Sequence, residues 1–266
     1  MRVQCLFLRF LNINTHYKML KIERQVLIMK QIHLHNRVLS SDLSDLLEVS
    51  EDTIRRDLNE MHDSRQLVKV HGGALSLQYH FDYPRNNIYA VSEKQVIAQK
   101  TVALIKPNSM VLLGGGTTIN ELVQVLPQNL KATFFTTSLM TALQLCNHPT
   151  AEVVYLGGQI NKSSGSSVGG EVVSRLSEIN IDLCIMGTNG IDANFGITED
   201  DIEVTQLKKA MIKASKETAI MSISEKLGTQ KPLRVCGLES VTYLITELES
   251  DSKALLPYQK FDLKLI

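Results

Sequence analysis

A change of hydrophobic period near the middle of the first hundred residues constrains this chain more than any other feature. From Met19 to about Ala74 apolar residues recur at helical spacing, whereas after Glu93 short apolar runs alternate with helical stretches. A helical cluster and a β-α alternation bury their apolar faces in different ways, so the two parts are expected to form separate cores. The 266 residues suffice for both, since domains usually run to about 100–200 residues. The expected division is residues 1–18 as an extension, 19–75 as a first domain, 76–92 as a linker and 93–266 as a second domain.

The first domain reads as three helices, a strand and a glycine turn. Val26, Met29 and Ile32, with Ile22 and Leu27, suggest a first amphipathic helix. Ser40-Ser41-Asp42 opens a second, short helix ending near Val49, and Ser50-Glu51-Asp52 opens a third that runs to about Ser64. An acidic first turn suits the positive end of the helix dipole. Gln66–His71 reads as a strand and Gly72-Gly73 as a tight turn. This is the order of a winged helix-turn-helix, in which the later helix lies in the major groove of DNA. Ser50 and Thr53 can hydrogen-bond phosphate or base edges. Arg55 and Arg56 point about 100° apart and can divide base and phosphate work. Lys69 and His71 fall on the expected wing, with Gly72 permitting close approach. Ile54, Leu58 and Met61 form the buried stripe of the third helix.

Charge neither supports nor forbids this reading. The whole chain is formally neutral, with 28 basic and 28 acidic residues. Met19–His71 holds eight Lys/Arg against nine Asp/Glu, a net of −1. The acidic residues are expected mostly on the second helix and on the far side of the third. An alternative for this segment is a protein-interaction module, against which adjacent arginines argue because they suit phosphates better than a partner groove.

The second domain alternates apolar strands with helices. Strands are expected at Met110–Leu113, Thr133–Thr136, Glu152–Leu156, Asp182–Met186, Thr218–Ile223 and Val241–Thr246. Helices are expected at Glu93–Ile105, Thr118–Leu126, Leu139–Cys146 and Ile202–Ser215. Such alternation implies a parallel sheet with right-handed crossovers, hence an α/β fold. Leu113-Gly114-Gly115-Gly116-Thr117-Thr118 follows a strand and opens a helix, where free backbone N–H groups can hold a phosphate. It is neither a P-loop nor GxGxxG. Further loops at strand ends carry Thr137, Ser138, Gly158, Gly190, Asp192 and Lys226. Small and polar loops on one edge, with a lysine among them, describe a pocket for a compact oxyanion.

The four cysteines are scattered and form no metal-ligand spacing, so free thiols of a reducing cytoplasm are expected and neither metal nor cofactor is. No apolar run is long enough to span a bilayer. Val3–Leu11 is apolar but Arg9 interrupts it, and no small-residue cleavage site follows.

The motif Arg24-x3-Ile28-x3-Ile32, then seventeen residues, then Ser50-x2-Thr53-Ile54-Arg55-Arg56-Asp57-Leu58 closely resembles the DeoR-family helix-turn-helix signature. Val70-His71-Gly72-Gly73-Ala74 resembles that family's wing. Gly115-Gly116-Thr117-Thr118 and Gly187-x2-Gly190-Ile191-Asp192 with Gly196-Ile197-Thr198 resemble its C-terminal sensor domain, whose fold is related to ribose-5-phosphate isomerase. Lys208 and Lys209 fall in the helix that usually follows. The resemblance implies a repressor of a sugar-metabolism operon, with double-stranded operator DNA and a phosphorylated sugar as partners, assembled as a homodimer or homotetramer. It departs from the family pattern at Gly114, at Thr136-Thr137-Ser138 and at Ile223-Ser224-Glu225-Lys226, so the effector contacts there are in doubt. An isomerase-like enzyme with an added module is the alternative. Asp192, Glu199 and Lys226 are its candidate catalytic groups, but the isomerase's acidic cluster is not reproduced around them.

Overall fold

In the computed structural model, which describes residues 19–35, 37–77 and 89–266, the chain divides into two units, Met1–Leu77 and Gln78–Ile266. The expected extension Met1–Lys18 and most of the expected linker lie outside the described residues.

The first unit runs α1 (Lys21–His35), β1 (Arg37–Leu39), α2 (Ser40–Leu47), α3 (Glu51–Asp63), β2 (Val68–Val70) and β3 (Gly73–Leu75). The strands form an antiparallel sheet in the order β1-β3-β2. Ile28, Ile32, Leu43, Leu47, Ile54, Leu58, Met61 and Leu67 make one core. The stripe expected on α1 is therefore misplaced. Ile22 and Val26 face solvent, and the inward row is Arg24, Ile28, Ile32 at four-residue steps. Apolar and polar residues are mixed around this helix, so periodicity alone could not select its face; the contact with α3 does.

That contact contains a buried ion pair. The Arg24 guanidinium grips both carboxylate oxygens of Asp57 on α3, and only 11% and 3% of the two side chains are exposed. Two-point contact fixes the angle between the helices as well as their separation.

Local capping agrees with expectation on α3 and differs on α2. Ser50 caps α3 by accepting from the Thr53 N–H at 3.3 Å. Ser40, expected to cap α2, is instead its first residue, after Leu39 in extended conformation. Its N–H donates to the Gly72 carbonyl across the wing at 2.8 Å. Strand β1 went unforeseen because three residues carry no measurable alternation. Its close approach dictates Gly73, where a Cβ would lie 2.0 Å from the Val38 carbonyl oxygen.

The second unit is built on a seven-stranded, wholly parallel sheet. Its strands, in chain order, are β4 (Met110–Leu113), β5 (Thr133–Thr136), β6 (Glu152–Tyr155), β9 (Ile181–Gly187), β12 (Ser215–Met221), β14 (Tyr243–Ile245) and β15 (Lys264–Leu265). Their spatial order is β15-β14-β12-β9-β4-β5-β6. Helices α4 (Val91–Val102), α5 (Thr117–Gln124), α6 (Leu139–Leu145), α7 (Gly170–Ser177) and α8 (Ile202–Lys213) alternate with the strands. The central strands are apolar and buried on both faces, as Leu112, Leu113, Ile185, Met186 and Ile220 show.

The α/β expectation holds, and the six expected strands each overlap an observed one. Absent from it were α7, β15, the hairpin of β7 (Gln159–Asn161) with β8 (Ser166–Val168), and a small antiparallel sheet of β10 (Gly190–Asp192), β11 (Gly196–Glu199) and β13 (Leu233–Cys236). Most of these are short strands rich in Gly, Ser, Asn and Thr, which read as loops.

Asp57→Ala leaves the Arg24 guanidinium without its partner in a largely buried position. It is expected to destabilise the first unit by roughly 1.5–3 kcal/mol, read as a lower urea midpoint. The double substitution R24M/D57L should recover part of that loss. An unchanged midpoint for D57A would show that the pair adds nothing to stability.

Candidate functional site

The sheet order sets where a ligand can sit. From β4 the chain steps outward through β5 and β6, then returns to place β9 on the other side of β4. Crossovers on either side of this reversal lie on opposite faces, which opens a crevice beyond the carboxyl ends of β4 and β9. Because all seven strands are parallel, the loops after β12, β9, β4, β5 and β6 follow one another along that edge.

The glycine loop after β4 occupies its centre. Gly116 is the N-cap of α5 at φ 109°, a conformation that favours glycine, and a Cβ there would meet nothing within 4 Å. Thr117 and Thr118 form the first turn of α5 and are partly exposed. Gly115 lies against the loop after β5, where a Cβ would sit 3.0 Å from the Ser138 Oγ and 3.4 Å from the Ser166 Oγ. Thr141 donates its hydroxyl to the Gly114 carbonyl at 3.2 Å, fixing α6 to the same loop. Ser138 caps α6. Thr137 is buried, and its hydroxyl has no hydrogen-bond partner among the described residues.

On the other flank stands Lys226, in a 3-10 turn over Ser224–Lys226 that follows β12. Its ammonium reaches over the end of β9 to donate to the Thr188 carbonyl at 2.7 Å. Burial brings its pKa down to about 7; Glu199 opposes the shift, while Lys94, Lys208 and Lys231 add to it. Lys94 of α4 is itself buried and donates to the Tyr89 carbonyl. Desolvation lowers it to about 8 despite the charges of Glu121 and Glu93. Lys208 of α8 is held by the buried Glu199 carboxylate and donates to the Gly187 carbonyl at 2.9 Å. Cations thus gather near one edge of the sheet, and two of them are paired only with backbone carbonyls among the described residues.

Three of the residues expected at this site have local duties. Gly158 is packed against α7, where a Cβ would lie 2.7 Å from Val172. Gly190 is enclosed by Thr198 and Thr229. Asp192 accepts from the Asn194 and Phe195 N–H groups at 2.8 Å and closes the β10–β11 turn. Burial acts to raise its pKa, but those bonds, with Gln230 and Lys260, hold it below the usual range. Lys94 and Thr188 were not foreseen. Nothing in the local pattern of α4 marks Lys94 as inward-facing.

In the first unit, Arg55 and Arg56 lie exposed on α3, beside the wing residues Lys69, His71 and Gly72, which are also exposed. The acidic residues are not on the far side as expected. Arg55 pairs with Glu51 at 3.1 Å and Arg56 with Asp52 at 2.6 Å, each one turn back. Exposed pairs of this kind are worth about 0–1 kcal/mol, so a phosphate can displace them. The Ser50 and Thr53 hydroxyls lie 2.9 Å apart, and Lys69 donates to Asn59 at 2.6 Å. Gly72 turns the wing at φ 78°.

Among the described residues no cluster of His, Cys, Asp or Glu could hold a metal ion, and no helix is long and apolar enough to cross a membrane. Cys146, Cys184 and Cys236 are free thiols.

Comparison with known proteins matches both units. Residues 24–79 match a family profile described as the DeoR-like helix-turn-helix domain, and residues 90–248 match the DeoR C-terminal sensor domain. An uncharacterised HTH-type transcriptional regulator of Bacillus subtilis, YulB, is 30% identical over 86% of this chain and 90% of its own length. The glycerol-3-phosphate regulon repressor of Haemophilus influenzae is 28% identical over 82% of this chain and 86% of its own. Among solved structures, ribose 5-phosphate isomerase A of Methanocaldococcus jannaschii is 18% identical with a TM-score of 0.38, over 50% of this chain and 53% of that one. The relatives matched along most of their length are regulators, and the isomerase-like enzyme reading falls with them. With more than half of its length matched by the sensor profile and its front by the helix-turn-helix profile, this chain belongs to the DeoR family of transcriptional regulators.

Proposed function

We propose that this regulator is a repressor of a sugar-metabolism operon, released from its operator by a phosphorylated sugar. Two protomers of a homodimer, or of a homotetramer, set their α3 helices in successive major grooves about 34 Å apart. Arg55 reads a base edge and Arg56 a phosphate, with Ser50 and Thr53 at the helix start and Lys69, His71 and Gly72 of the wing on flanking backbone. The protein works in the cytoplasm, where its operator is.

The single observation that supports the effector half is the placement of Lys226. A partly desolvated ammonium with only a carbonyl partner stands beyond the strand ends, on the edge that carries the free N–H groups of α5. A phosphate there would accept from the N–H groups of residues 116–118 and the hydroxyls of Thr117 and Thr118, and would neutralise Lys226. Gly115 leaves room beside Ser138, and Thr137 offers a buried hydroxyl to the remainder of the ligand. The effector acts only through its difference in affinity between the DNA-bound and free states.

Arg55→Ala is expected to weaken operator binding by roughly 1–3 kcal/mol in a gel-shift titration. Undiminished affinity would remove Arg55 from the interface. Lys226→Ala should bind operator normally yet fail to release it when a panel of phosphorylated sugars is added. Release at wild-type concentrations would clear this lysine of ligand contact.

The two depressed lysines also fix a pH trend. Their folded pKa values, about 7 and about 8, lie below the ordinary 10.5, so between pH 7 and pH 9 the unfolded chain holds more protons there than the folded one. Stability therefore rises with pH across this window. Above it the trend is opposed by Cys184 and Cys236, whose burial pushes both thiols up to about 12. A bound phosphate raises both lysine values and flattens the slope. Urea unfolding at pH 7 and pH 9, with and without phosphate, reads this directly; a ligand-free slope of opposite sign would contradict the placement of the two ammoniums.

A further inference from the structure

Tyr89 connects two parts of the effector edge. It is the first described residue after positions 78–88, and it lies in the gap between the two family matches, residues 24–79 and 90–248. Its backbone carbonyl accepts from the Lys94 ammonium. Its hydroxyl donates to a Glu225 carboxylate oxygen at 2.6 Å, and Glu225 is the residue before Lys226. Tyr89 is thereby fixed at one end to a buried lysine on α4 and at the other to the turn that carries the proposed effector lysine.

We propose that Lys94 is a second cationic contact to the effector's phosphate, and that through Tyr89 it ties occupancy of the sensor to the segment leading from the DNA-binding unit. The proposal rests on the effector reading above and adds a residue and a route to it. Lys94 is buried with the Tyr89 carbonyl as its hydrogen-bond acceptor and only partial counter-charge from Glu121 and Glu93, and an added anion offsets the remaining cost. Tyr89 joins Lys94 to the residue before Lys226, which brings the two cations to one edge where one anion can meet both. An ammonium has three donors, so Lys94 can hold a phosphate oxygen and keep Tyr89. A phosphate oxygen and the Tyr89 carbonyl would then share one ammonium, so a bound anion holds Lys94 where it grips Tyr89. Occupancy therefore tightens the segment at Tyr89 rather than loosening it.

Amide hydrogen exchange on the full-length protein tests this, with inorganic phosphate as the probe. In the wild type, phosphate should slow exchange both in residues 114–118 and in residues 89–94. In Lys94→Met, protection of residues 114–118 should require about tenfold more phosphate, and protection of 89–94 should be lost. Tyr89→Phe should bind phosphate as the wild type does, with weaker protection of 89–94. Protection of 114–118 alone in the wild type would overturn the proposal and leave the effector site standing. Protection of neither segment would sink the effector site as well. Wild-type behaviour of K94M would remove Lys94 from the ligand, and wild-type protection in Y89F would remove the hydroxyl tether from the route.

Discussion

The sensor unit depends on one pairing choice: β4 lies between β5 and β9, parallel to both. Parallel strands need crossovers, and crossovers on either side of β4 leave it at the point where the winding reverses. Everything the site contains follows from that. Gly114-Gly115-Gly116 becomes the middle loop of the open edge, Thr188 ends the neighbouring strand, and Lys226 arrives from the strand beyond. Three segments spread over more than a hundred residues of sequence converge because hydrogen-bond register brings their strand ends to one side. The apolar residues of β4 and β9 hold that register, since each is buried on both faces and cannot slip without exposing a row of side chains.

The cost of the site is electrostatic. Lys94, Lys208 and Lys226 are all drawn toward one region, but their treatment differs. Lys208 has a buried carboxylate, Glu199, and so is a settled ion pair. Lys94 and Lys226 are hydrogen-bonded to carbonyls, which satisfy a donor without cancelling a charge. The carboxylates Glu121 and Glu93 near Lys94, and Glu199 near Lys226, compensate the two charges only in part, and this is the condition under which a small anion could shift a conformational balance. The same division separates residues that build the pocket from those that wait for a ligand. Gly158, Gly190 and Asp192 have their contacts already, whereas among the described residues the Thr137 hydroxyl has none and Lys226 donates only to the Thr188 carbonyl.

Much of this was legible in the sequence, and the parts that were not share a cause. Apolar strands such as Met110–Leu113 announce themselves even at four residues, because a strand buried on both faces leaves a continuous hydrophobic run. The N-cap at Ser50 is equally plain, being a local interaction over three residues. By contrast, β1, β10, β11 and β13 are three or four residues long and exist only because a partner strand is present. The inward face of α1 was ambiguous for a similar reason: a helix with apolar residues on more than one face takes its orientation from Asp57, thirty-three residues away from Arg24. Lys94 is the clearest case among site residues. On α4 it reads as an ordinary charged position, and only the packing of α4 beside α5 buries it.

The third helix shows how one short block serves two masters. Within Arg55-Arg56-Asp57-Leu58, successive residues turn by about 100°, so two arginines face solvent while the next two residues face inward. Asp57 locks the helix to α1 through Arg24, and Leu58 seals it into the core. The arginines proposed to meet DNA are thus carried on a helix whose orientation is set by the adjoining residues of the same block. Their own partners, Glu51 and Asp52, sit in the first turn, where the helix dipole favours acids. Those acids hold the arginines extended along the helix in the free protein and are themselves weakly bound, so the reading surface is ordered before it meets a phosphate and yields when it does. A sequence-specific contact needs this combination, because a guanidinium that is free to wander loses in entropy what it gains in hydrogen bonds.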